Sequence, residues 1–253
     1  VQILRQGGNA VDAAVATGFA LAVTYPKAGN IGGGGFMLIH MAEDNDQTLV
    51  DYRETAPAAA SRDMFLKDNG EVDRGREFFS RQSAGVPGTV AGLLHALDNY
   101  GTMSRQQVLA PAIALAEQGF PVSFAFNADI NARAAQLRKD PQALALFFRE
   151  DGSPLAIGDT WRQPDLAWTL RQISEKGVKG FYQGEVARRI VADMSANDGL
   201  IIAQDLAGYR ALEREPVRGK FREFEVVSTP PPSSGGVHIL QMLNILEGFD
   251  LNT

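Results

Sequence analysis

The residue best suited to chemistry in this chain is Arg53, in the run Asp51-Tyr52-Arg53-Glu54. A guanidinium is planar and always charged, and at the end of a strand it can grip a carboxylate through two parallel hydrogen bonds. The same side chain could equally be a surface arginine satisfied by Asp51 or Glu54. Upstream stand four consecutive glycines at 32–35, followed by Phe36-Met37-Leu38-Ile39. Without Cβ atoms such a run lets a ligand or another stretch of backbone come close, although a flexible loop or a bulge has the same composition. It is not a phosphate loop: GxxxxGK[ST] is missing, and the residues that follow read as a strand, which also excludes a dinucleotide fingerprint. Physical chemistry thus supports a candidate carboxylate site and leaves the reaction open.

Other reactive groups are sparse. His40, His95 and His238 are far apart and share no ligand spacing. With no HExxH and no carboxylate-rich calcium loop, a structural role is expected for each, and no metal is expected. The chain has no cysteine, which excludes disulfides, thiolate chemistry and cysteine–metal sites. Ser233 and Ser234 lie in TPPPSSGG at 229–236. A catalytic serine there would need a partner base, yet there is no GxSxG elbow and no histidine or carboxylate fixed beside it. An N-cap for the helix that follows is the simpler role, and lining a pocket lies between the two.

The 253 residues are 45% hydrophobic and 21% charged, with a net charge of −6, as in a soluble globular protein. The negative balance and the scattered Lys and Arg argue against nucleic acid as a partner. No signal peptide is visible, and the alanine-rich stretch at 9–23 is too short to span a membrane. Without a low-complexity linker or a repeat, residues 1–253 are expected to form a single domain.

The elements that must present Arg53 read as a β-hairpin: an apolar strand from 36, a polar turn at 43–46, and an alternating strand at 48–52. Before it, 9–23 reads as a buried helix capped by Asn9, with Asp12 favouring its N-terminus and Pro26 ending it. After it, a helix is expected to start at Ser61 or Asp63, and 67–70 is a turn. A glycine/proline turn at 85–88 leads into a helix at 90–97 with Leu93, Leu94 and Leu97 in the core. Helical patterns recur at 108–118, 121–140, 166–173 and 185–195, with a short apolar stretch at 142–148. A helical turn at 203–206 precedes strand candidates at 214–218 and 224–228 and a helix at 237–246.

Five segments occur in one order: NAVDAAVA at 9–16, AGNIGGGGFM at 28–37, DYRETAP at 51–57, GVPGTVAG at 85–92 and PPPSSGG at 230–236. Together this series resembles the large subunit of the γ-glutamyltranspeptidases, also called glutathione hydrolases, over essentially the whole chain. The resemblance implies an α+β fold, the αββα sandwich of the N-terminal nucleophile hydrolases. It implies a precursor that cuts itself into two subunits, a small-subunit partner from the same precursor, the small subunit's N-terminal threonine as nucleophile, and no cofactor. No catalytic residue is then expected in this chain, which would be a large-subunit fragment; Thr253 does not match the family's cleavage-site threonine. Arg53 matches the substrate-binding arginine of the family's D-[FY]-R-E-x-A-P block, with Asp51 and Glu54 positioning it or bridging to the small subunit. Family members are commonly exported, so a periplasmic or secreted location is expected. An acylase acting on other side-chain amides, such as β-lactam precursors, and a non-catalytic scaffold relative are the alternatives.

Overall fold

A computed structural model describes residues 1–250; Thr253 lies outside them. The chain divides into two compact units, one built from 1–31 and 102–188, the other from 32–101 and 189 onward.

The first unit is mainly helical. Helix Ala10–Thr24 is nucleated by a reciprocal cap: the Asn9 side chain accepts from the Asp12 N–H, and the Asp12 carboxylate accepts from the Asn9 N–H. Such a pair satisfies two donors that a helix start leaves open. Val15, Phe19 and Val23 are fully buried. At its other end the buried Gln163 side chain donates to the Val23 carbonyl at 2.8 Å. Helix Arg105–Gln118 packs against it and against Pro164–Lys176. The Ser104–Gln107 capping box starts that middle helix, and Gly119, in the left-handed region at φ 81, ends it. Helices Phe124–Leu137 and Pro141–Phe147 follow. Phe126 and Phe147 stack around Trp161, whose indole N–H donates to the Leu146 carbonyl at 2.9 Å.

Asp12 does more than cap. Its carboxylate is fully buried and also accepts from the Thr102 N–H, the Thr102 hydroxyl and the Met103 N–H, at 2.7–3.2 Å. Burial pushes this carboxyl up, but the bonds from Thr102, Asn9 and Met103 outweigh it and hold its pKa below the usual carboxylate value.

The second unit carries the hairpin. Strands Phe36–Met41 and Asp46–Asp51 pair antiparallel with Phe36 opposite Asp51, and Asn45 turns between them at φ 51. Ile39, Leu49 and Val50 are buried, and helix Thr89–Tyr100 packs on the pair. Leu93, Leu94 and Leu97 of that helix are buried as expected. A third strand, Leu212–Arg214, adds to the far side of Asp46–Asp51. Strands Val217–Phe221 and Phe224–Ser228 form a separate hairpin against helix Gly235–Leu246. The single strand expected at 214–218 is therefore two. Pro216 has no N–H to give a ladder, and the chain leaves one sheet before it and joins another after it.

The helix expected from Ser61 or Asp63 does not form. Gly70, at φ +82, turns a tight loop in which Lys67 N–H donates to Glu71 O and Asp73 N–H to Phe65 O. Those bonds, with the Leu66–Val72 bridge, draw 65–67 into an extended return. The helix starts instead at Arg74, capped by the Asp73 side chain, and runs to Phe79.

Among the described residues no helix is long and apolar enough to cross a membrane, and no group of three His, Asp or Glu could hold a metal ion.

Candidate functional site

Segments of three of the five sequence blocks, 32–37, 51–57 and 85–92, meet around Arg53 within the second unit. The hairpin ladder continues one step past its strands: Tyr52 N–H donates to Gly35 O at 2.9 Å, and Gly35 N–H returns to Tyr52 O at 3.3 Å. The Gly33 carbonyl accepts from the N–H groups of Gly88 and Thr89, at 2.8 and 3.0 Å. These are among the donors that the start of helix Thr89–Tyr100 leaves unsatisfied. Thr55 and Val86 exchange a further pair of backbone bonds. The glycine run thus serves backbone approach: a Cβ on Gly34 would lie 2.4 Å from the Tyr52 carbonyl oxygen.

Gly92 shows how tight this packing is. A Cβ there would fall 2.1 Å from Cγ of the Tyr52 ring. Gly92→Ala is therefore expected to lower the protein's unfolding free energy by about 2–3 kcal/mol, as overpacking does. Chemical denaturation measures this, and an unchanged midpoint would show that the ring yields without cost.

Arg53 itself is exposed. Its backbone N–H donates to Asp51 Oδ1 at 3.0 Å, and its carbonyl accepts from the Tyr209 hydroxyl at 2.8 Å. Asp51, only 7% exposed, is ion-paired through Oδ2 with Arg214 Nε at 2.7 Å. Burial first, then the charges of Asp51 and Glu54, push the Tyr209 phenol well above the ordinary tyrosine value, so it stays a neutral donor. The Arg53 guanidinium has no hydrogen bond or ion pair with any described residue. Neither Asp51 nor Glu54 neutralises it, which removes the surface ion-pair reading. Beside it lies an open hollow of about 460 Å³, lined by Gly32, Glu54, Thr55, Met64, Phe65 and Gln82 among others. A fixed backbone carrying an unpaired guanidinium at a hollow can bind a carboxylate.

The remaining candidates do other work. The Ser233 hydroxyl accepts from the Thr229 hydroxyl and from the Gly235 N–H, both at 3.3 Å, at the start of helix Gly235–Leu246. His95 Nε2 lies 2.8 Å from Glu213 Oε1, which also accepts from the Tyr100 hydroxyl. Burial and Glu213 push Tyr100 up to about 12. Arg214 and Tyr209 were not identifiable from sequence: no motif marks them, and only the fold brings Tyr209 to the Arg53 carbonyl and Arg214 to Asp51.

The α+β fold is of the N-terminal nucleophile hydrolase type. The profile of the γ-glutamyltranspeptidase family matches residues 1–253, and the chain belongs to that family. It is 50% identical over 251 residues to the glutathione hydrolase proenzyme of Escherichia coli K12, covering 99% of this chain and 43% of that protein. It is 43% identical over 256 residues to an acylase ACY 1 proenzyme of Pseudomonas sp. strain V22, covering 99% of this chain and 46% of that protein. The crystal structure of Helicobacter pylori γ-glutamyltranspeptidase superposes with a TM-score of 0.97 at 45% identity, over 99% of this chain and 72% of that one. The chain therefore spans under half the length of these curated relatives.

Proposed function

We propose that the protein carrying this chain transfers or hydrolyses γ-glutamyl groups, with glutathione and related γ-glutamyl compounds as donors. The observation that carries this reading is the unpaired Arg53 guanidinium, held on a fixed backbone within the DYRE block. A γ-glutamyl donor has a free α-carboxylate, which a guanidinium can take with two parallel hydrogen bonds. The nucleophile is a threonine at the N-terminus of a small subunit cut from the same precursor, as the family resemblance implies, and the proenzyme names of the relatives support such processing. Both compact units belong to the large-subunit domain of that heterodimer. Export to the periplasm or beyond is part of the same reading.

The threonine hydroxyl oxygen attacks the γ-amide carbonyl carbon while its own α-amino group takes the hydroxyl proton. Preorganised donors hold the oxyanion. The tetrahedral intermediate collapses to a γ-glutamyl ester and releases the amine, which receives that proton. Water then gives hydrolysis, and an amino acid or peptide amine gives transfer. The role of Arg53 is to bind and orient the donor, so that the γ-carbonyl meets the nucleophile.

The acylase relative supports a second reading, hydrolysis of another side-chain amide bearing a carboxylate. Rates with γ-glutamyl-p-nitroanilide and with glutaryl-p-nitroanilide, which keeps the carboxylate and lacks the α-amine, separate the two. The γ-glutamyl compound is expected to be preferred; preference for the glutaryl compound would support the acylase.

A further inference from the structure

Both backbone polar groups of Arg53 are taken by side chains of buried residues. The N–H goes to Asp51 and the carbonyl to Tyr209. Asp51 is oriented in turn by Arg214, whose backbone is fixed opposite Leu49 in the third strand. Tyr209 and Arg214 belong to one short segment, 209–214. A single stretch of chain thus fixes Arg53 at its carbonyl directly and at its N–H through Asp51.

The Arg214 pair has a second consequence. Asp51 lies two residues before Arg53 and, unlike the exposed Glu54 beside it, is almost fully buried. A carboxylate two residues from an arginine is a ready internal partner for it. With Arg214 Nε on Oδ2 and the Arg53 N–H on Oδ1, both oxygens of Asp51 are engaged. The Arg53 guanidinium is left without an internal carboxylate. We propose that Arg214 and Tyr209 are positioning residues for substrate binding: Arg214 occupies Asp51 so that it cannot capture Arg53, and Tyr209 fixes the backbone that aims the Arg53 side chain. This rests on the reading of Arg53 as the anchor for the substrate carboxylate.

If Arg214 is removed, Asp51 gains a free oxygen that competes with the substrate carboxylate for Arg53. The defect should then appear in substrate binding, and it should require Arg53. A residue that only supports the fold would instead lower the amount of active enzyme, or shift kcat and KM without regard to Arg53.

The test uses the full-length protein and steady-state kinetics with γ-glutamyl-p-nitroanilide. The variants are Arg214→Gln, Arg214→Lys and Tyr209→Phe, each alone and combined with Arg53→Ala. Arg214→Gln is expected to raise KM about tenfold, in the range of coupling between contacting residues, with kcat within about twofold. Arg214→Lys should recover most of the loss, because it restores a cation to Asp51. Tyr209→Phe removes one oxygen and little volume, so it keeps the test open where Arg214→Gln does not fold; a KM rise of about threefold is expected. In the Arg53→Ala background none of the three substitutions should change KM further. Unchanged KM in Arg214→Gln and in Tyr209→Phe would overturn the inference, as would effects of equal size with and without Arg53. Unchanged kinetics in Arg53→Ala alone would overturn the anchor reading itself, and this inference with it.

Discussion

Replacing Arg53 by alanine in the full-length protein is expected to cut kcat/KM for γ-glutamyl-p-nitroanilide by about 10- to 150-fold. That range corresponds to losing a charge-assisted hydrogen-bonded contact of about 1.5–3 kcal/mol. The guanidinium has no partner among the described residues, so truncation leaves no internal charge stranded. The loss therefore reads as substrate binding and not as damaged folding. Arg53→Lys keeps the charge but not the planar fork, and is expected to recover only a small part of the loss. A donor without the carboxylate, γ-aminobutyryl-p-nitroanilide, should be a poor substrate for the parent and should be insensitive to both substitutions. Equal losses for the two anilides would assign Arg53 to something other than carboxylate recognition.

The largest stability effect is expected at Asp12. Asp12→Ala would leave the N–H groups of Asn9, Thr102 and Met103 without the carboxylate that now receives them. Such orphaned donors cost about 1–3 kcal/mol each where water cannot reach them, and a total of about 3 kcal/mol is expected. The folded-state pKa of this carboxyl is lowered. Its contribution is therefore fully present above the unfolded carboxylate pKa, and it is lost as pH falls through the depressed folded value. Thermal unfolding of the full-length protein at neutral and acid pH measures both. The variant should melt lower at neutral pH, and the gap to the parent should narrow on acidification. A gap that is constant with pH would mean that the carboxylate charge contributes nothing.

Much of the frame around the site was legible because its signals are local. Asn9 with Asp12 three residues on announces a helix start, and both cap bonds form. The apolar run after the glycines, a polar turn and an alternating strand announce a hairpin, and the register from Phe36–Asp51 to Met41–Asp46 bears it out. Arg53 could be named from its motif. Its surroundings could not, because they depend on contacts distant in sequence. The run Leu212-Glu213-Arg214 has no strand-like alternation, and Pro216 hides the point at which one sheet is left and another begins. The 61–66 stretch failed for a related reason. Its helix-start residues were read locally, whereas the Gly70 turn and the backbone bonds from 65 to 73 decide its path. The purpose of the glycine run was open between ligand and backbone approach, and the nearness of Tyr52 decides for backbone at Gly34.

The most direct test of the proposed γ-glutamyl chemistry is denaturing mass analysis of the purified full-length protein, with a γ-glutamyl-p-nitroanilide assay on the same sample. Two fragments whose masses sum to that of the precursor, the smaller beginning with threonine, together with release of p-nitroaniline, are the predicted result. A single uncut chain that releases no p-nitroaniline would contradict the proposed activity and point to a non-catalytic member of the family.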